Sequence, residues 1–379
     1  MIKVFTVIGA RPQIIKASAM SRAIADNFSD SITEILVHTG QHYDENMSQV
    51  FFNEMGIPAP DYNLAVGSGQ HGAQTAKMIV GLEELMLKEK PDYINLYGDT
   101  NSTLAGAIAA SKLNVPIMHI EAGLRSFNRK MPEEINRVTC DHLSTLLFSP
   151  TQTGYLNLIK EGFDAQAKPV FTPDNPGIFH CGDVMFDNSF YFGDRAAAKS
   201  TILDNHQLTK NNYVLATLHR DSNTDVPDRL QSIMEAFLHI AEHAEVVLPL
   251  HPRTLKKLHD DVHHKLYERV KKTAQLKIID PVSFFDMIQL EQNAKMVITD
   301  SGGVQKEAFF FRKPCIIMRP QTEWVEIVQS GAAKLADADG EKIVSYYHQW
   351  ANQREMEFPS IFGDGKAARF ICETLIKNT

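Results

Sequence analysis

Short apolar runs alternate with helical segments along almost the whole chain of 379 residues. The first run, Ile2–Ile8, is rich in Val, Ile and Phe and shows little apolar–polar alternation, as is typical of a strand covered on both faces. Arg11-Pro12 then leads into a helical stretch. Because strands that alternate with helices form parallel sheets joined by right-handed crossovers, the sequence predicts an α/β fold.

The alternation occurs in two series, and the first of them includes a predicted helix at 47–55. Between the series, residues 162–187 show a weaker pattern in a polar run with three prolines, so we expect a domain junction there. We predict two Rossmann-like, doubly wound domains, at 1–170 and 171–365, which face a central cleft. We expect the C-terminal helix, at 366–379, to pack back on the first domain.

The charge balance argues against a nucleic-acid partner. Lys and Arg total 38 against 46 Asp and Glu, which gives a formal net charge of -8. Such a chain has no basic field that could hold nucleic acid non-specifically. We therefore expect a small molecule as the ligand.

Cysteine usage and hydropathy indicate the cytoplasm. Cys140, Cys181, Cys315 and Cys372 are far apart and have no CxxC spacing, which favours reduced thiols. The N-terminal apolar run is too short for a signal peptide, and no later stretch approaches a membrane-spanning length. We recognise no metal-ligand spacing among the 15 histidines. We expect a cytoplasmic protein with no membrane segment, metal ion or other cofactor.

One strand-to-helix turn in the second series has the features of an anion site. The run Met296–Thr299 reads as a buried strand, and the segment 300–303 (DSGG) then supplies helix-capping residues. Adjacent glycines let backbone N–H groups approach a ligand, and a helix N-terminus favours negative charge. Glu307, about one turn further, could accept hydrogen bonds from ribose hydroxyls. An ordinary capped turn is the alternative.

Polar side chains gather where the predicted strands end. In the first series they are Arg11, Lys16, Gln41, His42, Asp99, His119, Glu121 and Arg125. In the second series they are His219, Arg220, His251, Arg253 and the segment 300–303. Since ligands bind at the carboxyl ends of parallel strands, we expect both sets at the cleft. Helix capping remains the alternative for each single residue.

The two sets suit the departure of a phosphate leaving group combined with proton transfer. The basic side chains that could hold a diphosphate, together with backbone donors at 301–303, are Arg11, Lys16, Arg125, His219 and Arg220. The carboxylates that could move protons are Asp99, Glu121, Glu133 and Glu134. Glu133 and Glu134 follow a proline at a helix start, so electrostatic capping is their alternative. For His119, in a buried strand, we expect a core histidine.

Motifs along the whole chain resemble those of the non-hydrolysing UDP-N-acetylglucosamine 2-epimerases. In order, they are GARPQIIKAS, HTGQHYDENM, YGDTNSTLAGAIAA, HIEAGLRS, MPEEINR, CGDVMFD, ATLHR, LPLHPRT and TDSGGVQKEA. The resemblance implies the two-domain architecture of GT-B glycosyltransferases, a homodimer, and inversion at C2 of a UDP-linked acetamido sugar. It also implies a mechanism, in which anti elimination of UDP gives a 2-acetamidoglycal and UDP then adds back.

The resemblance assigns roles to individual residues of this chain. It implies three catalytic carboxylates and a histidine near the leaving diphosphate, which are Asp99, Glu121, Glu133 and His219. The residues expected to bind the substrate are Arg11, Lys16, Arg125, Arg220, His251, Phe284, Ser301, Gly302, Gly303, Glu307 and Arg319. Within that set, the segment 301–303 would hold the diphosphate, Glu307 the ribose, and the region of Phe284 the uracil. The order in which the carboxylates act as base stays open.

Two departures from the family pattern bear on the substrate. The family usually carries Arg-x-x-Thr-Glu-Arg-Pro where residues 319–325 read RPQTEWV, and Lys306 stands where an acid is common. The segment resembles the branch that acts on UDP-2,3-diacetamido-2,3-dideoxy-glucuronate, and we favour that substrate, epimerised from gluco to manno for surface polysaccharide such as O-antigen. Lys306 or Arg319 could pair with its added carboxylate, and a surface position is the alternative for Lys306.

Other functions stay open. The alternative substrate is UDP-N-acetylglucosamine, giving UDP-N-acetylmannosamine. More distant alternatives are a GT-B glycosyltransferase, a hydrolysing epimerase and a non-catalytic nucleotide-sugar binding protein. Many bacterial relatives have an activator site near the Gln41-His42 motif, but Tyr43-Asp44 replace the usual basic or amide residues here, which argues against that regulation.

Overall fold

The computed structural model describes residues 1–40, 56–259, 264–351, 353 and 356–379. The helix expected at 47–55 and the Gln41 to Asp44 motif lie outside these residues. The described chain divides into two compact units, one formed by 1–188 with 360–379 and the other by 189–359. Each unit contains one sheet of parallel strands with helices packed on it. The predicted α/β fold of two Rossmann-like domains is confirmed.

All strand pairings in both sheets are parallel. The strands of the first sheet are β1 (Ile2–Ile8), β2 (Ile32–His38), β3 (Tyr62–Asn63), β4 (Tyr93–Tyr97), β5 (Ile117–Ile120), β6 (Leu146–Ser149) and β7 (Gly177–His180). Those of the second are β8 (Tyr213–Thr217), β9 (Glu245–Pro249), β10 (Leu276–Ile279), β11 (Met296–Thr299), β12 (Cys315–Ile317) and β13 (Ala333–Leu335).

The described helices follow the strands in the chain order that a doubly wound fold requires. They are α1 (Arg11–Ala23), α2 (His71–Glu89), α3 (Asn101–Leu113), α4 (Pro132–Leu143), α5 (Gln152–Lys160), α6 (Val184–Lys199), α7 (Ile202–Asn205), α8 (Asp221–Thr224), α9 (Pro227–Ala241), α10 (Pro252–Leu258), α11 (His264–Lys272), α12 (Phe284–Asn293), α13 (Gly302–Phe310), α14 (Val325–Gln329), α15 (Gly340–Ala351) and α16 (Ala367–Lys377). Within the described chain, none is long and apolar enough to cross a membrane.

The strand order places the functional loops. The first sheet has the order β3-β2-β1-β4-β5-β6-β7, and the second has β10-β9-β8-β11-β12-β13. In each sheet the order reverses between two central strands, β1 and β4 in the first and β8 and β11 in the second. Loops diverge at such a switch point, so the chain after these strands is available to a ligand. Asp99 follows β4, His219 lies two residues after β8, and Ser301 lies two residues after β11.

Amphipathic helices explain the packing of each unit. In α2, the buried residues Gln74, Met78, Leu82 and Met86 recur every four residues, so the helix presents one stripe to its sheet. In the second unit, α9 and α15 contribute to the same core, in which Ile233, Phe237, Ile343 and Trp350 join residues of the central strands. This shared core holds the two helices side by side.

The division between units falls later than the expected boundary at 170/171. Strand β7 pairs with β6, and the Phe148 and Phe179 rings stack at 5.4 Å, so residues 177–180 complete the first sheet. The prolines before β7 and its short length hid this strand in the sequence. The C-terminal segment returns to the first unit, where the backbone N–H groups of Ala367 and Ala368 donate to the Asp187 carboxylate at 3.0 and 2.8 Å.

Candidate active site

A lysine–glutamate ion pair lies over the turn that ends β4. Lys16 of α1 pairs with Glu121, which follows β5, and both side chains are largely buried. Gly98 has a φ of +61, and a Cβ there would lie 3.0 Å from Glu121 Oε2 and 3.2 Å from Lys16 Nζ. A side chain there would be strained by the positive φ and would crowd the ion pair, which favours glycine. Glu121 itself has a φ of 76, a strained conformation that the surrounding structure holds.

Asp99 lies beside this pair and has its own basic partner. Arg137 of α4 donates to Asp99 through Nη2 and to Glu134 Oε2 through Nη1 at 2.7 Å. Burial raises the pKa of Asp99, while the charges of Arg137 and Lys16 oppose that rise. The negative charges of Glu121 and Glu133 also raise the pKa of Asp99, so the three predicted carboxylates lie close to one another. We call Lys16, Asp99, Glu121, Glu133 and Arg137 the carboxylate cluster.

The two adjacent glutamates of α4 differ in their surroundings. Glu133 is exposed, whereas Glu134 is 2 % exposed. The Glu134 carboxylate accepts hydrogen bonds from Ser126 N at 2.9 Å and Phe127 N at 3.0 Å, and these bonds, with Arg137, lower its pKa although burial alone would raise it. Glu134 therefore anchors the preceding loop and orients Arg137, a role that the sequence did not distinguish from that of Glu133.

A buried charge network supports the cluster from below. The His119 ring bonds Asp141 Oδ1 through Nδ1 at 2.6 Å and donates from Nε2 to Gly98 O at 2.8 Å. Burial opposes the charged form of His119, but Asp141 raises the pKa of the imidazole well above its usual range. His119 is thus the buried, hydrogen-bonded histidine that was expected, and it fixes the turn that leads into Asp99.

Arg125 belongs to this buried network. Its guanidinium pairs with Asp141 at 2.7 Å and with Glu161 through two bonds of 2.7 and 2.6 Å. Arg125 is 7 % exposed, so its side chain lies inside the first unit. The sequence had suggested a contact between Arg125 and the substrate. Arg11, in contrast, is exposed on the first turn of α1.

In the second unit, the turn after β11 forms a capped helix N-terminus. Ser301 is the N-cap of α13, and its hydroxyl accepts from Val304 N at 3.4 Å. A Cβ on Gly302 would lie 2.6 Å from Glu323 Oε1, so a side chain there would displace that carboxylate. Gly303 is exposed, and Glu307 lies one turn further along α13. The N-terminus has the geometry of an anion site.

Asp300 organises the loop after β8. It is fully buried and accepts from His219 N at 3.1 Å, Arg220 N at 3.0 Å and Asn223 Nδ2 at 3.2 Å, while His219 Nδ1 lies 3.0 Å away. Burial alone would raise the pKa of Asp300, but these donors hold it below its usual range. Asp300 therefore positions His219 and Arg220, while Ser301 supplies the helix cap.

Three further predicted binding residues have clear structural contacts. His251 is the N-cap of α10, where its Nδ1 accepts from Arg253 N at 3.2 Å. Phe284 is buried, and its ring meets that of Phe192 edge-on at 5.2 Å. Arg319 is 7 % exposed, and its Nη1 lies 3.0 Å from Glu323 Oε2. Arg319 and Glu323 both lie close to Gly302 at the start of α13.

The two departures from the family pattern contact each other. Lys306 is 3 % exposed, so the surface alternative for it is wrong. Its Nζ lies 4.1 Å from the centroid of the Trp324 ring and 5.9 Å from that of Phe310. A cation over an aromatic face is attracted by the ring quadrupole.

A buried carboxyl group on α12 lies near Glu307 and was missed in the sequence. Glu291 of α12 is 1 % exposed, and among the described residues neither of its carboxyl oxygens has a hydrogen-bond partner. Burial, and the nearby charge of Glu307, raise the pKa of Glu291 well above its usual range.

Comparison with known proteins is consistent with this geometry. A family model described as UDP-N-acetylglucosamine 2-epimerase matches residues 26–376. A UDP-2,3-diacetamido-2,3-dideoxy-D-glucuronate 2-epimerase of Pseudomonas aeruginosa is 48% identical over 99% of this chain and 99% of its own. A UDP-N-acetylglucosamine 2-epimerase homolog of Methanococcus maripaludis is 47% identical over 98% and 99%. The crystal structure of Methanocaldococcus jannaschii UDP-GlcNAc 2-epimerase in complex with UDP-GlcNAc and UDP has a TM-score of 0.84 and 39% identity, covering 99% of this chain and 100% of that one.

Proposed function

The chain belongs to the UDP-N-acetylglucosamine 2-epimerase family, and on that premise we propose that it inverts C2 of a UDP-linked 2-acetamido sugar. The observation that carries the proposal is the carboxylate cluster, in which Asp99 and Glu121 each face a basic partner at the carboxyl ends of β4 and β5. Paired carboxylates at a sheet edge suit proton transfer at carbon, because basic partners keep one of them ionised as a base.

In the proposed reaction, a carboxylate of the cluster removes the proton from C2. The electron pair of the C2–H bond forms the C1–C2 double bond, and the C1–O bond breaks so that UDP leaves with its electrons. The reverse steps return a proton to the other face of C2 and UDP to C1, which gives the epimer. Asp99 suits the role of base because burial raises its pKa, which strengthens it as a proton acceptor.

The second unit supplies binding of UDP in this proposal. The free N–H groups at the start of α13, beginning at Gly302 and Gly303, would donate to the diphosphate, and the helix dipole would stabilise the negative charge of the leaving UDP. Glu307 would accept from the ribose hydroxyls. His219, held by Asp300, would face the leaving group. Arg125 would brace the first unit through Asp141 and Glu161.

For the substrate we propose UDP-2,3-diacetamido-2,3-dideoxy-glucuronate, epimerised from gluco to manno. Support comes from the 48% identity to the Pseudomonas aeruginosa relative and from the RPQTEWV segment. The buried Lys306 contacts the ring of Trp324, which belongs to this segment. Arg319 lies at the start of α13 and is the candidate to recognise the added carboxylate. UDP-N-acetylglucosamine is the second candidate, which the Methanocaldococcus jannaschii complex favours.

Isotope exchange tests the activity. The purified protein, incubated in deuterium oxide with each UDP sugar, should give an epimer with deuterium at C2. Epimer without label at C2 would exclude the mechanism. Transfer of the sugar to an acceptor without exchange would indicate a glycosyltransferase, and release of free sugar with UDP would indicate a hydrolysing epimerase.

A turnover comparison tests the substrate. The diacetamido-uronate should be epimerised with a kcat/KM at least about 100-fold above that of UDP-N-acetylglucosamine, since a buried group built to pair with a carboxylate discriminates strongly against a substrate that lacks one. Arg319→Gln should reduce this ratio. Efficient use of UDP-N-acetylglucosamine alone would contradict the substrate assignment and leave the 2-epimerase activity standing.

We further propose that the protein is a cytoplasmic homodimer. All four cysteines, which lie within the described chain, are free thiols, as a reducing compartment favours. Val80 and Leu87 on α2 are 55% and 58% exposed and two turns apart, so they form an apolar stripe that a second copy could cover. Light scattering should give twice the mass of 42.5 kDa. Val80→Glu with Leu87→Glu should shift it toward the monomer.

A further inference from the structure

Three histidines converge on the surface of the second unit, away from the residues discussed above. His239 lies in the last turn of α9, His243 lies two residues after the end of that helix, and His348 lies near the end of α15. All three are exposed, and one ring nitrogen of each lies within 4.8 Å of those of the others. The sequence contains the His-x-x-x-His spacing of 239 and 243, which the expectation of no metal site overlooked.

The spacing of the rings fits a single metal ion. Ring centroids lie 5.7 Å apart for His239 and His243, 5.9 Å for His239 and His348, and 5.1 Å for His243 and His348. With metal–nitrogen bonds of about 2.1 Å, three ligands of a tetrahedral ion stand roughly 3.4 Å apart, so small side-chain rotations close the site. Three imidazoles leave the fourth position to water.

The surroundings favour a cation. Helices α9 and α15 both approach their C-terminal ends at the histidines, where the helix dipole presents negative partial charge. The Glu242 carboxylate lies 3.8 Å from His239 Nδ1 and could neutralise part of the charge of an ion. His239 also borders an open cavity of about 680 Å³ that Glu235 and Glu341 help to line, so an ion and its water can enter from solvent.

We propose that His239, His243 and His348 form a binding site for a divalent transition metal such as Zn²⁺. Imidazole is a ligand that Zn²⁺, Co²⁺, Ni²⁺ and Cu²⁺ share, whereas Mg²⁺ and Ca²⁺ prefer oxygen. An ion here links the end of α9 to α15, two helices that already share the core of the second unit. Its role is to clamp these helices together, because a ligand that binds only the folded state stabilises it.

Cobalt titration tests the site with a spectroscopic readout that does not depend on the enzymatic activity. The protein is prepared without a polyhistidine tag and stripped with a chelator, and Co²⁺ is added alone. We expect one Co²⁺ per chain with visible ligand-field absorption, displacement of that absorption by Zn²⁺, and a metal-dependent rise in melting temperature.

Variants on the two helices give the control. His348→Ala and His243→Ala should each weaken Co²⁺ binding by about 100-fold and abolish the melting shift, since each removes one of three protein ligands. His264→Ala, an exposed histidine of α11 outside the cluster, should bind as the unaltered protein does. Unaltered affinity in both cluster variants, or absence of stoichiometric binding in the unaltered protein, would overturn the proposal. Melting of the metal-free variants at the unaltered temperature shows that the fold is intact.

Discussion

The two units prepare their functional loops in different ways. In the first, charged side chains pair with one another, as in Lys16 with Glu121 and Arg137 with both Asp99 and Glu134. In the second, one buried carboxylate, Asp300, accepts from both the backbone and the side chains of the loop after β8, and the start of α13 offers its own N–H groups.

This difference matches the chemistry proposed for each unit. Proton transfer needs side chains whose pKa and position are both defined, and ion pairs with buried members define both. Binding of a diphosphate needs donors that are already aligned, and a helix N-terminus supplies them without a titrating group.

Glu121→Gln should remove most of the activity. The change deletes a charge that pairs with Lys16 and preserves the size of the side chain, so kcat should fall by about 10²- to 10⁴-fold, the range for loss of a general acid or base. Steady-state assay of C2 inversion measures the effect. Glu357→Gln, at an exposed position of the second unit, is the control and should retain full activity. A Glu121→Gln variant with near-normal kcat would remove this carboxylate from the mechanism.

Asp300→Asn should mainly reduce stability. The change leaves the backbone N–H groups of His219 and Arg220 without a charged acceptor, which should cost about 2 kcal/mol in the free energy of unfolding, the range for hydrogen bonds to a charged group. Denaturant unfolding, followed by hydrogen exchange in the second unit, measures the loss. Unchanged protection of the amides of His219 and Arg220 would show that Asp300 does not organise their loop.

The same variant makes a pH prediction. The pKa of Asp300 is lower in the folded state than in the unfolded chain, so its contribution is fully present above the unfolded value of about 3.9 and is lost as pH falls through the folded value. Asp300→Asn should therefore flatten the loss of stability on acidification below about pH 4. Acid titration of the melting temperature, compared between the variant and the unaltered protein, would show the same slope in both if this linkage were absent.

Lys306→Met should have a moderate effect on stability and none on substrate choice. The contact with Trp324 is worth on the order of 1 kcal/mol, and its loss should lower the melting temperature slightly. The ratio of kcat/KM for the two UDP sugars should not change, because the ammonium is buried over the ring. Lys342→Met, an exposed lysine of α15, is the stability control. A shifted ratio would place Lys306 among the residues that recognise the substrate.

Ser301→Ala should have the smallest effect. Loss of the N-cap hydroxyl, whose bond from Val304 N is long at 3.4 Å, should cost about 0.5 kcal/mol of helix stability and raise KM about twofold, because the backbone donors remain but are less well fixed. Calorimetric titration of UDP into the variant measures the change in affinity. An unchanged dissociation constant would indicate that the diphosphate does not depend on this cap.

Local patterns in the sequence predicted much of the architecture. The strands Ile2–Ile8 and Met296–Thr299 are short apolar runs rich in β-branched residues, and this composition identifies them without any alternation. The sequence missed β3, β7 and β13, because two, four and three residues carry too little pattern and prolines precede β7. Met296–Thr299 followed by the DSGG turn also indicated the helix start correctly.

The partners of the site residues could not be predicted in the same way. Lys16 and Glu121 are 105 residues apart, and their pairing depends on the order of β1, β4 and β5 in the sheet. Arg125 and Lys16 are both basic residues near predicted strand ends, so the sequence did not distinguish their roles. In the structure, the Arg125 side chain pairs with Asp141 and Glu161. His239 and His243 had a local signal, whereas His348 enters their cluster only through the packing of α15 on α9.

The central claim is that the first unit transfers the proton and the second unit binds UDP. It is tested most directly by measuring both deuterium incorporation at C2 and UDP affinity in Asp99→Asn. The variant removes the charge that faces Arg137 and leaves the start of α13 untouched. We expect C2 exchange to fall by at least about 10²-fold while the dissociation constant of UDP stays within about twofold. Parallel loss of UDP affinity, or C2 exchange at the unaltered rate, would contradict the account.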